Sequence, residues 1–214
     1  MKGDVILVEE HHRNAAQRIV GHFLHEIQAT KGKFAFSVAG ESGSGKSETA
    51  MALQEELGSK GIASYVFQQD DYFVLPPKSN DARRRKELHW VGTQEVRLDL
   101  LDSHLSQALE GCLFLSKPLV LYEEDRISEE KANLEGVKVL IAEGTYTTLL
   151  QHVNRRVFIN RNRLETMQSR KRRGREPMDP FLEKVLEIEH QIISRHRERS
   201  DVVINNDYSV EFVH

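Results

Sequence analysis

The sequence contains a single cysteine, Cys112, and no CxxC or Cys/His cluster at a zinc-ligand spacing. An internal disulfide framework is thereby excluded, and a reducing compartment is the natural setting. Cys112 itself reads as a small buried hydrophobe. Long apolar runs are also missing. Near the N-terminus only Val5 to Val8 is apolar before Glu9, Glu10, His11 and His12, far too little for a secretory core or a membrane span, so the cytoplasm is the expected location and no membrane partner is expected. Charge of one sign is not in excess either: 30 Lys and Arg against 33 Asp and Glu leave a formal charge of -3, which gives no bulk reason to bind nucleic acid. Internal repeats, low-complexity tracts and linkers are absent, so residues 1–214 are expected to form one domain.

What is present is a sequence of short apolar strands alternating with amphipathic helices, the pattern of an α/β domain with a largely parallel sheet. Residues 4–8 suggest a short strand. Ala15, Ala16, Ile19, Val20, Phe23, Leu24 and Ile27 then repeat at three-and-four spacing, as one face of a helix. Phe34 to Ala39, Ile62 to Phe67, Val157 to Ile159 and Val202 to Ile204 read as strands, and Val137 to Ala142, apolar apart from Lys138, has the pattern of a parallel strand covered on both faces. A helix is expected from about Gln94 to Ala108, preceded by an aperiodic polar loop over 78–92 and followed by a weaker stretch near Leu119 to Tyr122. Asp179-Pro180 supplies a cap and a first-turn proline for a long helix reaching about Arg199.

The strongest chemical signal is Gly40-Glu41-Ser42-Gly43-Ser44-Gly45-Lys46-Ser47. It fits GxxxxGK[ST] and lies between an apolar strand and an amphipathic helix, the context a phosphate-binding loop requires. Its glycines let successive N–H groups curl around phosphate oxygens, Lys46 reaches the outer phosphates of ATP, and Ser47 offers a hydroxyl to Mg²⁺. Glu143 ends an unbroken apolar strand, where strand carboxyl ends of an open parallel sheet face the ligand crevice, and is a second candidate for holding Mg²⁺. Asp70 and Asp71 follow another such strand. Side-chain alternation sends one of the pair into the site; Asp70 is the expected base for the acceptor hydroxyl, with Asp71 beside the acceptor.

The basic run from Arg155 to Arg175 is either a lid whose arginines, Arg170, Arg173 and Arg175 among them, close on the triphosphate, or a nucleic-acid surface, or a solvated face. Aromatics interleaved for base stacking are lacking, which weighs against nucleic acid. Tyr72, Phe73 and Trp90 are placed by sequence to wall an acceptor or to pack the core. His22 and His25 share a helical face but lack further metal ligands.

With these residues in view, the chain resembles the uridine kinase and phosphoribulokinase family of P-loop kinases over roughly residues 34–205. The resemblance rests on the glycine loop at 40–47, Gln-Asp-Asp-Tyr-Phe at 69–73, Glu-Gly at 143–144, Arg-Gly-Arg at 173–175 and Asp-Val-Val-Ile at 201–204. It implies a P-loop fold with a five-stranded parallel core, helices on both faces and a basic lid over about 161–178. It also implies Asp70 as catalytic Asp, Ser47 and Glu143 at the magnesium, and a nucleoside-like acceptor near Trp90 and Tyr122. The stretch Leu88 to Glu95 departs from the family, with Val91 where an acidic residue is expected. Another hydroxyl acceptor, such as a sugar phosphate, pantothenate or glycerate, therefore stays open, as do a non-catalytic nucleotide-binding regulator and a homo-oligomeric state.

Overall fold

The computed structural model describes residues 6–167 and 179–213. Helix α1 (Glu10–Ala29) leads into strand β1 (Phe34–Gly40), whose seven residues are all buried. The glycine loop connects β1 to α2 (Lys46–Ser59), followed by β2 (Ser64–Gln68) and a 3₁₀ turn over Gln69–Tyr72. Next come α3 (Pro77–Lys86), α4 (Leu98–Leu109), the strands β3 (Phe114–Leu121) and β4 (Arg126–Asn133), β5 (Val139–Glu143), β6 (Arg155–Ile159), α5 (Pro180–Ile193), β7 (Val202–Ile204) and β8 (Val210–Phe212).

The main sheet runs β2-β5-β1-β6-β7-β8. Five strands are parallel, as the sequence implied, and β8 adds an antiparallel edge that it did not. Strand alternation divides the core. Phe34, Phe36 and Val38 of β1 join Val139, Ile141, Val157 and Ile159 under α1 and α2. Ala35, Leu140 and Ala142 face the opposite side, toward Leu101 and Leu105 of α4 and Leu115 and Ala132 of the β3–β4 hairpin. Each fully buried Leu, Ile or Phe in these layers stabilises the fold by about 1.5–3 kcal/mol relative to exposure. Among the described residues no helix is long and apolar enough to cross a membrane.

Four local expectations need correction. Residues 6–8 carry no regular structure where part of a strand was expected. The polar segment 78–92 is not a loop: it holds α3 and a 3₁₀ turn at Leu88–Trp90. Helix α3 has almost no apolar face to reveal it, and much of its support is tertiary. Asp125, at the tip of the β3–β4 hairpin, accepts from Lys78 N (2.7 Å), Ser79 N (3.1 Å) and Ser79 Oγ (2.7 Å), a cap supplied from more than forty-five residues away. The weak stretch at 119–122 is the end of a full hairpin strand paired with β4. The last helix stops at Ile193 and continues as a 3₁₀ turn to Arg199. Its start is as expected, with Asp179 accepting from Leu182 N at 2.8 Å and Pro180 in the first turn. Cys112 is half-buried, its thiol near Phe114 O at 3.2 Å.

Candidate active site

Parallel registry brings three strand ends together. Val38 and Gln68 both lie opposite Glu143, so the residues that follow β1, β2 and β5 emerge at one edge. After β1 the chain turns through the glycine loop. Gly45 adopts φ +100°, a left-handed conformation that side chains with a Cβ resist, and a Cβ there would approach His12 Nε2 to 3.0 Å. Burial, and then the neighbouring His11, hold His12 down to about pKa 4, so a neutral imidazole braces the loop from α1. Within the loop Ser44 N–H donates to Glu41 O at 3.1 Å. Lys46 Nζ rests on Glu41 O at 2.9 Å. Glu41 in turn is held by His190 Nδ1 of α5 at 2.6 Å.

Ser47 Oγ donates to Glu143 Oε1 at 3.2 Å, bringing together two residues that are 96 positions apart in sequence. Burial, and next the negative charge of Asp70, raise Glu143 to about pKa 7, against the opposing pull of Lys46 and the Ser47 hydrogen bond. The buried Glu143 carboxylate, half-buried Asp70 and the Ser47 hydroxyl therefore form an oxygen-rich cluster beside a lysine. Mutual repulsion of the carboxylates is the cost that a hard divalent cation would relieve, so the donor set fits Mg²⁺. The loop also fits a phosphate chain: Ser44 Oγ is buried with no hydrogen-bond partner and adjoins the Gly40 backbone, where a Cβ would meet it at 2.7 Å.

The approach of Asp70 to Glu143 depends on Gly144. A Cβ on Gly144 would fall 2.2 Å from Gln69 Cβ, and Gln69 Oε1 accepts from Tyr146 N at 2.7 Å. The segment before Asp70 is thus clamped directly onto the loop that follows Glu143.

Two of the five acceptor-side candidates do not open onto this edge. Asp71 is buried, with its carboxylate between Lys117 Nζ (2.9 Å) and Val120 N (3.0 Å), and it anchors the hairpin instead of contacting an acceptor. Burial alone would lower Lys117, but Asp71 and Glu130 outweigh it and raise its pKa. Tyr72 is fully buried in the core, with its hydroxyl 2.9 Å from His104 Nδ1. Trp90 is half-buried; its indole N–H donates to Asn80 Oδ1 at 2.8 Å and Arg83 lies 3.6 Å over its ring. Tyr122 is half-buried where β3 ends. The lid arginines Arg170, Arg173 and Arg175 lie outside the described residues. His22 stacks on Phe212 at 3.8 Å.

Sequence reading missed a buried charge cluster on the acceptor side. Val91 is buried, and Glu95, four residues on, is fully buried. It accepts from Gly92 N (2.7 Å), Asn80 Nδ2 (2.6 Å) and Arg84 Nη2 (3.1 Å), while Arg84 Nε also reaches it. Arg84 further contacts Glu189 of α5 at 3.3 Å. The only prior hint was a glutamate three residues after a glycine, a spacing common to many short turns. Beyond the ends of β6 and β7, an open cleft of ≈ 490 Å³ is lined by Asn160, Asn162, Glu165, Asn205, Asn206, Asp207 and Ser209.

Known proteins are similar to this chain in sequence or in fold. Over 188 residues the chain is 30% identical to a bifunctional alpha-galactosidase/sucrose kinase of Mediterraneibacter gnavus, a match that covers 81% of this chain and 20% of that protein. The chain thus spans about a fifth of that relative. Among solved structures, a possible uridine kinase from Bacillus stearothermophilus superposes with a TM-score of 0.60 at 22% identity, covering 89% of this chain and 97% of that one. A D-glycerate 3-kinase from Cryptococcus neoformans gives 0.59 at 14% identity, covering 92% and 99%. These two likenesses support the fold. The model of the phosphoribulokinase/uridine kinase family matches residues 35–163, which take in the glycine loop, Asp70 and Glu143, and on that match the chain belongs to this family.

Proposed function

We propose that the protein transfers the γ-phosphoryl group of ATP to a hydroxyl of a sugar-like small molecule. The observation that carries this reading is the meeting of Lys46, Ser47, Glu143 and Asp70 at one edge of the sheet. The backbone N–H groups of 40–47 and Lys46 would hold the phosphates, and Ser47 and Glu143 would hold Mg²⁺, which when bound offsets phosphate charge. Asp70 would take the proton of the acceptor hydroxyl as its oxygen bonds to the γ-phosphorus and the bond to the β-phosphate oxygen breaks. Arg170, Arg173 and Arg175 complete this reading as lid residues, and the cytoplasm as its location.

A sugar acceptor is supported by the sucrose kinase named for the relative, whose match extends over most of this chain. A nucleoside-like acceptor is the second reading, favoured by the half-buried Tyr122 at the end of the hairpin strand. The core position of Tyr72 removes one of its stacking surfaces.

ADP release, followed with Mg²⁺ and ATP against a panel of sugars, nucleosides, glycerate and pantothenate, tests the proposal. Sugar-dependent release with a phosphorylated sugar found by mass spectrometry is the expected result. Hydrolysis indifferent to every acceptor would instead favour a nucleotide-binding regulator.

A further inference from the structure

The phosphate loop is rich in glycine. Gly43 and Gly45 take φ of +77° and +100°, and residues without a Cβ give up the most backbone freedom when a loop is held in one shape. A loop that is ordered before its ligand arrives relieves binding of that cost. Within residues 40–47 the ordering converges on Glu41, whose carbonyl accepts from both Ser44 N (3.1 Å) and Lys46 Nζ (2.9 Å).

Glu41 is tied in turn to a distant part of the chain. Its side chain is 8% exposed, and Oε1 lies 2.6 Å from His190 Nδ1 on α5, 149 positions away. A carboxylate only accepts, so the proton of this bond sits on Nδ1. Among the described residues no other side chain is bonded to the Glu41 carboxylate. Helix α5 is a firm support for this contact. Leu182, Leu186 and Ile193 bury one side of it, while Arg163 beyond β6 and Arg84 of α3 hold it through Glu183 (3.4 Å) and Glu189 (3.3 Å). The imidazole itself is 38% exposed and belongs to neither core cluster, so its contact with the loop is not a by-product of core packing.

We infer that His190 is a positioning residue for nucleotide binding: by holding the Glu41 side chain it fixes the carbonyl that aligns Ser44 and Lys46, and the loop meets the phosphates already formed. The inference rests on the reading of residues 40–47 as the ATP-binding loop and deepens it, adding a residue that lies outside every motif of the sequence.

Calorimetric titration of ATP with Mg²⁺ into wild-type protein, His190→Ala, His190→Asn, Glu41→Met and the double variant His190→Ala with Glu41→Met tests it, alongside thermal melting. His190→Ala should weaken ATP binding about fivefold, the size of coupling expected of a contacting pair. Its melting temperature should change little, because alanine is the better helix former and the imidazole lies outside the core. His190→Asn, whose amide nitrogen can stand where Nδ1 stands, should restore affinity to within about twofold of wild type. In the Glu41→Met background, where the bond is already lost, His190→Ala should add no further loss. Unchanged ATP affinity in His190→Ala, no recovery in His190→Asn, additive losses in the double variant, or losses that follow a lowered melting temperature in every variant would each overturn the inference and leave the kinase reading standing. The expected differences in ATP affinity, with no acceptor phosphorylated, would uphold the inference and remove the kinase reading. Absence of ATP binding to wild-type protein would remove both.

Discussion

The two halves of the site are built by different means. On the donor side, contiguous residues 40–47 form the phosphate loop, and the remaining groups sit at the ends of apolar strands whose registry follows from parallel pairing. On the acceptor side, positions are set by contacts between distant segments: Arg84 to Glu95 and Glu189, Asp125 to the start of α3, and Lys117 to Asp71. Phosphate binding needs backbone N–H groups, which a short glycine-rich motif can present. Acceptor recognition needs side chains in fixed relative positions, and on the proposed acceptor side the packing is held by buried ion pairs. The donor half should therefore tolerate changes in sequence outside its loop, whereas the acceptor half should fail when either partner of a pair is removed.

The largest separation between the halves is expected from Asp70→Asn. Turnover should fall by about 10²–10⁴-fold, the usual contribution of a positioned base, with ATP affinity nearly unchanged; parallel loss of both in kinetics and calorimetry would remove Asp70 from the base role. Next is Arg84→Met, which removes the cation paired with the fully buried Glu95. Losing one partner of a buried pair costs about 3–5 kcal/mol, to be read from denaturant unfolding, and replacing Arg84 and Glu95 together with apolar residues should recover part of that loss.

Glu143 offers a pH-dependent contrast. Its folded-state pKa lies above the ordinary glutamate value, at about 7. The folded chain therefore binds a proton that the unfolded chain releases, so this group's destabilising effect is absent below the ordinary range and grows as pH rises toward 7. Glu143→Gln should raise the melting temperature of metal-free protein at pH 8 and leave it nearly unchanged at pH 4. In the wild type, Mg²⁺ should bind more weakly as pH falls below 7, since protons compete for the same carboxylate. Equal effects of the substitution at both pH values would contradict this assignment. The smallest effect is expected from Asp125→Ala, which removes the remote cap of α3 and should cost about 1 kcal/mol with no change in ATP affinity.

This difference in construction also explains what could be read beforehand. The five parallel strands were visible because strands buried on both faces are written as uninterrupted apolar runs such as Val139 to Ala142. Glu143 was visible because it ends such a run, and Asp70 because it follows another by two residues. Helix α3 was hidden because its polar sequence has no apolar period and its cap comes from Asp125. The hairpin was hidden because half of the residues of β4 are charged and only one is buried. Asp71 and Tyr72 were assigned to the acceptor because sequence gives their position along the strand but not the inward turn after Gln68 that buries both. Glu95 and Glu189 carry no local signature, since their contacts come from residues up to 105 positions away.

Calorimetric titration of ATP into the folded protein at pH 8, with and without Mg²⁺, most directly tests whether the glycine loop and Ser47 with Glu143 form one nucleotide site. Saturable binding that strengthens with Mg²⁺, and loses that Mg²⁺ dependence in Ser47→Ala, is the expected result. Absence of nucleotide binding, or binding indifferent to Mg²⁺ in the wild type, would contradict it.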